Sequence, residues 1–148
     1  MIVLVTGGFD PLHSGHIEYL KSAKQLGRTL IVGLNSDQWL KKKKGKAFLN
    51  WEERNIILSH VNIVDKVITF DDLDGTSNQA ISKILSEFPG EKIIYANGGD
   101  RNQENTPEYK VYGKNRLVDF KFGIGGNKIN SSSWILKEWN KGYVDQSI

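Results

Sequence analysis

Met1-Ile2-Val3-Leu4-Val5-Thr6-Gly7-Gly8-Phe9-Asp10-Pro11-Leu12-His13-Ser14-Gly15-His16 opens the chain with an unbroken apolar run that two glycines stop. A run without polar alternation reads as a strand buried on both faces, the kind found in parallel sheets. Ile17, Leu20 and Ala23 then recur at helical spacing, and Leu26-Gly27 closes that helix. Thr29-Leu30-Ile31-Val32-Gly33-Leu34 follows as a second apolar run. The opening is therefore a βαβ unit with a right-handed crossover, and residues 7–16 form its first strand-to-helix loop.

The same alternation continues outward. Helical patterns are expected over residues 37–42 and 51–60, the second with Asn50 as N-cap and Glu53 at the capping-box position. Strands are expected over residues 64–69, 91–96 and 117–122. A helix over 76–87 carries Ile81, Ile84, Leu85 and Phe88 on one face and is ended by Pro89-Gly90. A closing helix over 131–140 has Trp134, Ile135 and Trp139 available for packing. No internal repeat or linker interrupts residues 1–148. This is the pattern of a single α/β domain, a doubly wound, Rossmann-like parallel sheet with helices on both faces. In such a sheet the ligand sits outside the carboxyl ends of the strands.

A chain of 148 residues suits one compact domain, and 39% hydrophobic with 25% charged residues excludes a disordered tail. Twenty Lys and Arg against seventeen Asp and Glu leave a formal charge of +3. So mild an excess calls for neither nucleic acid nor a membrane, and it suits a small anionic substrate. The absence of cysteine excludes disulfides, thiolate chemistry and cysteine-ligated zinc. No apolar run approaches a bilayer span, and the first residues lack the basic and long apolar regions of a signal peptide. A cytoplasmic location is expected.

The first loop carries the chemistry. Its glycines let backbone approach phosphate oxygens, and the helix start that follows offers unpaired N–H groups and a positive dipole end. His13 and His16, separated by Ser14-Gly15, can point at one anion and donate hydrogen bonds as charge builds on it. Taken singly, a histidine pair near a turn is usually polar surface, and a glycine-rich turn is weak evidence. A metal site is disfavoured because the third histidine, His60, stands on another segment without ligand spacing. A Walker loop fails because no Gly-Lys-Ser/Thr follows the turn.

In this loop the chain resembles the cytidylyltransferase-like branch of the nucleotidylyltransferase superfamily. The signature of that branch is a glycine, Phe-Asp and a His-x-Gly-His on a strand-to-helix loop, and Gly8, Phe9, Asp10, His13, Gly15 and His16 match it. Residues 26–37 are similar to the second-strand region of the heptose-1-phosphate adenylyltransferases and, less closely, of the glycerol-3-phosphate cytidylyltransferases. The resemblance implies that His13 and His16 hold a triphosphate and stabilise the transition state.

It also implies further site residues. In the run Lys41-Lys42-Lys43-Lys44-Gly45-Lys46, relatives place a phosphate-binding lysine, which makes Lys44 and Lys46 the candidates and leaves Lys41 to Lys43 solvated. Lys46 is the expected catalytic one, beside His13 and His16. Arg54 matches a family Glu-x-Arg or Glu-Arg pattern and is either a bidentate phosphate ligand or half of a helical surface salt bridge. Gly98, Gly99 and Asp100 match a segment that borders the base and ribose in relatives, although glycines after a strand are commonly only a turn. Ser131, Ser132 and Ser133 resemble the family's Ser-Thr-Thr at a late helix start, where hydroxyls suit the β- and γ-phosphates and one serine also serves as N-cap. An arginine that the glycerol-3-phosphate enzymes carry before this triplet is missing, and Lys128 is its candidate stand-in. The polar stretch 101–112 reads as a substrate-side loop.

The activity implied is transfer of a nucleoside monophosphate from ATP or CTP to the phosphate of a small sugar or polyol phosphate, with release of pyrophosphate. The heptose-type adenylyl reading leads and the glycerol-3-phosphate-type cytidylyl reading is the alternative. Mg2+ is expected to travel with the triphosphate, without a dedicated protein metal site. The partners expected are the nucleotide and the phosphorylated metabolite, not nucleic acid or membrane. Dimerisation is common among relatives, so a homodimer is an open expectation. Two rivals are a non-catalytic nucleotide sensor, which has no use for two converging imidazoles, and a nucleic-acid module built on the lysine run, which lacks a reader motif.

Overall fold

In the computed structural model, residues 1–126 and 131–146 are described. The elements in chain order are β1 (Ile2–Gly7), α1 (Ser14–Lys24), β2 (Thr29–Leu34), α2 (Asp37–Lys44), α3 (Trp51–Ser59), β3 (Lys66–Ile68), α4 (Asn78–Glu87), β4 (Ile93–Ala96), α5 (Pro107–Tyr112), β5 (Val118–Lys121) and α6 (Ser132–Gln146). The strands form one sheet in the order β3-β2-β1-β4-β5, with every recorded pairing parallel. The register sets Ile2 opposite Thr29 and Ile93, and Leu4 opposite Ile31 and Tyr95. The doubly wound, Rossmann-like architecture expected from the alternation is thus the one observed.

Period-two alternation divides the core. Val3, Val5, Leu30 and Val32 pack with Leu20 and Ala23 of α1 and Leu58 of α3. Ile2, Leu4, Ile31, Ile93 and Tyr95 pack on the other face with Ala80, Ile81 and Ile84 of α4. Continuous apolar strands are buried from both sides, as the opening run requires.

Element boundaries differ from the sequence pattern where side chains bond locally. β3 starts at Lys66 rather than Val64, because the Val64 N–H turns back to the Val61 carbonyl. α4 starts at Asn78 rather than Thr76, because the Thr76 N–H and hydroxyl both bond Asp74 Oδ1 in a turn. The Asn50 cap forms as expected, its Oδ1 accepting from the Glu53 N–H at 3.0 Å. The stretch read as a loop over 101–112 holds the helix α5 in its second half. α6 runs on to Gln146, and its tryptophans do not pack as expected, since Trp134 and Trp139 are exposed.

Candidate active site

β1 and β4 lie side by side, yet the chain leaves them toward opposite edges of the sheet, to β2 and to β5. The crevice at their carboxyl ends is the switch point of a doubly wound sheet. A cavity of about 530 Å³ opens there, lined by the ends of both strands, the first loop, the end of α2, the start of α6 and Glu108 of α5.

The two histidines are fixed by the helix they begin. His13 is the N-cap of α1, with extended φ of −143°, and its Nδ1 accepts from the Gly15 N–H at 3.1 Å. His16 Nδ1 accepts from the His13 N–H at 3.3 Å, which completes a reciprocal capping box. A ring nitrogen that accepts must keep its lone pair, so in both neutral rings the proton sits on Nε2. The rings stack with centroids 3.8 Å apart and planes 24° apart, and both line the cavity. Phe9, buried at φ +48°, sets its ring edge-on to His16 at 4.9 Å. The peptide bond between Asp10 and Pro11 is cis.

Asp10 lies under this loop at 2% exposure. Its carboxylate accepts from the Phe48 and Leu49 N–H groups at 2.6 and 2.7 Å and pairs with Lys44 Nζ at 2.9 Å. Lys44 also donates to the Asp10 carbonyl at 2.6 Å. Asp10 therefore ties the histidine loop to the segment after α2, and Lys44 is delivered to the cavity wall by that tie.

Lys46 does not arrive there. α2 continues through Lys44 and ends at Gly45, whose φ of +93° turns the chain, so Lys46 is exposed and off the cavity lining. Lys43 is exposed, as expected, and also borders the cavity, its ammonium 4.8 Å above the Trp39 ring. Arg54 is not a cavity residue but is buried at 1% exposure, and its ion pair runs to half-exposed Asp37 on α2 rather than along its own helix. Its guanidinium donates to the carbonyls of Leu49, Gly8 and Asn35 and to Asp37 Oδ1, at 2.6–3.0 Å. It braces the ends of β1 and β2 from beneath.

Gly98 and Gly99 line the cavity, whereas Asp100 is exposed and off it. A Cβ on Gly98 would lie 3.1 Å from the Ile124 carbonyl and 3.2 Å from Tyr19, so glycine permits this close approach. Tyr19 anchors that side by donating to the Ala96 carbonyl, and burial pushes its phenol far above the ordinary value. Ser131, Ser132 and Ser133 all line the cavity at the start of α6. Ser131 Oγ accepts from the Trp134 N–H at 3.0 Å, and Ser132 Oγ donates to the Pro11 carbonyl at 2.9 Å, which joins this helix start to the histidine loop. Lys128 lies outside the described residues.

The profile of the cytidylyltransferase-like family matches residues 4–135, a span that holds the whole of this arrangement. The chain belongs to that family. It is 38% identical over 130 residues to the bifunctional protein HldE of Campylobacter jejuni subsp. doylei, covering 86% of this chain and 26% of that protein. The chain spans about a quarter of the length of the curated relatives it matches, at 24%, 26% and 23%. A solved lipopolysaccharide core biosynthesis protein from Thermoplasma volcanium superposes with a TM-score of 0.60 at 28% identity, over 83% of this chain and 93% of that one. A bifunctional NMN adenylyltransferase/ADP ribose pyrophosphatase from Francisella tularensis shares the fold, with a TM-score of 0.63 at 14% identity over 95% of this chain and 42% of that one.

Within this member of the cytidylyltransferase-like family, the cavity also holds polar groups that the sequence pattern did not single out. Thr6 Oγ1 lies 2.9 Å from the Tyr95 hydroxyl and accepts from Ser77 Oγ at 3.0 Å, and the Ser77 N–H donates to Glu108 Oε2 at 3.1 Å. Burial first, then the nearby Glu108 charge, pushes the Tyr95 phenol up to about 12, so its hydroxyl keeps its proton at neutral pH. A signal for Glu108 was present, since Thr106-Pro107-Glu108 is a helix-start pattern with proline in the first turn.

Acidic side chains on the lining are Asp10, Glu18 and Glu108. The Asp10 oxygens are occupied by two N–H groups and Lys44, and among the described residues no three His, Asp or Glu side chains converge as a metal cage. The Asp10 carboxylate is thus fully engaged and offers no ligand position to a magnesium ion. Among the described residues, no helix is long and apolar enough to cross a membrane.

Proposed function

We propose that the chain is a nucleotidylyltransferase that moves an adenylyl group from ATP to the phosphate of a small sugar phosphate. The observation that carries the reading is the pair of stacked imidazoles on the cavity wall, each with Nδ1 spent on the α1 cap and its proton on Nε2. Two such donors at a helix N-terminus are organised before substrate arrives, which is what a developing phosphoryl charge requires.

An oxygen of the acceptor phosphate attacks the α-phosphorus in line, the bond from that phosphorus to the bridging β-oxygen breaks, and pyrophosphate leaves. The acceptor is already anionic at neutral pH, so no covalent enzyme intermediate is needed, and the protein supplies positioning and charge stabilisation. His13 and His16 donate to the reacting phosphate, while Lys44 and the Ser131–Ser133 hydroxyls hold the phosphates beside it. Magnesium arriving with the triphosphate would supply charge neutralisation, with no protein side chain assigned to hold it. The whole chain, 1–148, serves as the catalytic domain, with a cytoplasmic location and a homodimer as the accompanying assignments. The deciding test is a pyrophosphate-release assay crossing ATP and CTP with sugar 1-phosphates and glycerol 3-phosphate. Nucleotide binding with no release from any pair would favour a sensor.

Two expected outcomes follow from this reading. Lys44→Ala lowers turnover by roughly tenfold to a hundredfold, because a charge-assisted contact to phosphate is lost from inside the cavity, whereas Lys46→Ala stays within about twofold. Steady-state assays of both variants check this, and a larger loss at Lys46 would restore it as the phosphate lysine. The second outcome concerns the base. Titration at equal magnesium is expected to give ATP the tighter binding, by about tenfold or more, since a base-edge group left unpaired near Gly98 and Gly99 penalises the wrong base. The similarity of residues 26–37 to the heptose-1-phosphate adenylyltransferases, and the relative named for lipopolysaccharide core biosynthesis, support ATP with a sugar acceptor. Tighter binding of CTP would overturn the adenylyl assignment and leave the transferase reading standing.

A further inference from the structure

The cavity has two sides. Gly98 and Gly125 pack against Tyr19 of α1, and the histidines begin α1, so Gly98 and the histidines, both assigned to the nucleotide, lie on the α1 face of the sheet. Thr6 follows Ile2 and Leu4 in the alternation on the α4 face, where Tyr95 is also packed. There the lining includes Thr6, Ser77, Tyr95 and Glu108, with Arg101 also on the lining and near enough to act on the Tyr95 phenol. Glu108 is 5% exposed, and among the described residues no basic side chain lies within ion-pair distance of its carboxylate.

An ionised carboxylate offers about four acceptor sites. The Ser77 N–H fills one, and the Tyr95 hydroxyl stands at 3.5 Å, at the limit of a hydrogen bond. A buried carboxylate so sparsely donated to gains from any ligand that brings hydroxyl donors. The same charge repels phosphate. A ligand on this side therefore presents hydroxyls to Glu108 and turns its phosphate away from that carboxylate, toward the cations and histidines of the lining.

We propose that Glu108, with Ser77 and Thr6, is the subsite that selects a polyhydroxylated acceptor, gripping the sugar hydroxyls while its phosphate lies at the reacting centre. This rests on the transferase reading above. A nucleotide ribose offers the same chemistry, but Gly98 and the histidines, assigned to the nucleotide, lie on the other face.

The test uses wild type and Glu108→Gln, which keeps the shape and removes the charge, with Ser77→Ala as a second variant. Calorimetric titration measures ATP alone, and then hexose 1-phosphates and ethyl phosphate in the presence of a non-hydrolysable ATP analogue. Wild type should bind at least one hexose 1-phosphate about tenfold or more tightly than ethyl phosphate. Glu108→Gln should collapse that preference, and Ser77→Ala reduce it, at unchanged ATP affinity. An unchanged preference in Glu108→Gln, or no preference in wild type, overturns the proposal. A parallel loss of ATP affinity assigns Glu108 to the ribose instead and also overturns it. Because these are binding measurements, they hold even if pyrophosphate release is absent, an outcome that would count against the transferase reading alone.

Discussion

His16→Asn is expected to lower turnover by roughly a hundredfold or more, the size of losing one preorganised donor to the transition state. The choice of asparagine matters. His16 does two things, accepting the His13 N–H through Nδ1 and carrying a proton on Nε2. Alanine removes both, and the loss of a capping bond costs about 1 kcal/mol by itself. Asn Oδ1 falls near the position of Nδ1 and keeps the cap, while nothing replaces Nε2–H. His16→Gln reverses the pairing, since its amide N–H reaches toward the Nε2 position. The expected pattern is near-wild-type unfolding with lost turnover for Asn, and partial turnover for Gln. ATP affinity should fall less than turnover in both, because the donor acts mainly as charge develops. Near-normal turnover in His16→Asn would remove the histidines from the chemistry and strengthen the sensor alternative.

The parts of this site that were legible in the sequence are those whose partners are neighbours along the chain. The capping box joins residues three apart, and Gly8, Phe9 and His13 stand within one loop, so local spacing carried their geometry. The alternation of strands and helices followed from apolar runs and the length of the segments between them, whereas the order of strands in the sheet did not. Lys44 and Lys46 were inseparable for a physical reason, since the choice depends on whether α2 ends before or after Lys44. A difference of one turn in a lysine-rich helix end has no hydrophobic signal. The Glu108 subsite joins β1, the start of α4, β4 and α5, and no spacing in the chain announces that convergence. Trp134 and Trp139 made the opposite error possible, because an aromatic pattern on a helix reads as core whether or not a partner surface exists within the same chain.

Arg54 shows most clearly what a local pattern conceals, and its replacement should have the largest effect on stability. The Glu-Arg pattern suggested a phosphate ligand, but the guanidinium is walled in by carbonyls of residues 46 and 19 positions away, Gly8 and Asn35, besides Leu49 and Asp37. Asp37 is about half exposed, with a side-chain exposure of 47%, so solvent screens that pair and it contributes little. The weight falls on the three carbonyls, that of Asn35 buried and those of Gly8 and Leu49 part-buried, which lose charge-assisted donors together. Each such loss costs about 1–3 kcal/mol when the acceptor stays buried. Arg54→Ala is therefore expected to destabilise the fold by at least about 3 kcal/mol, a large share of a typical 5–15 kcal/mol total. Arg54→Lys keeps the charge but not the fork, and should recover only part of the loss. Urea unfolding measures both, with ATP titration run on whatever fraction stays folded. If Arg54 bound phosphate, unfolding would be nearly unchanged and ATP affinity would collapse. The brace predicts the reverse, with the midpoint falling in urea and residual ATP binding following the folded fraction, because Gly8 and Asn35 hold the strand ends on which the histidine loop is hung.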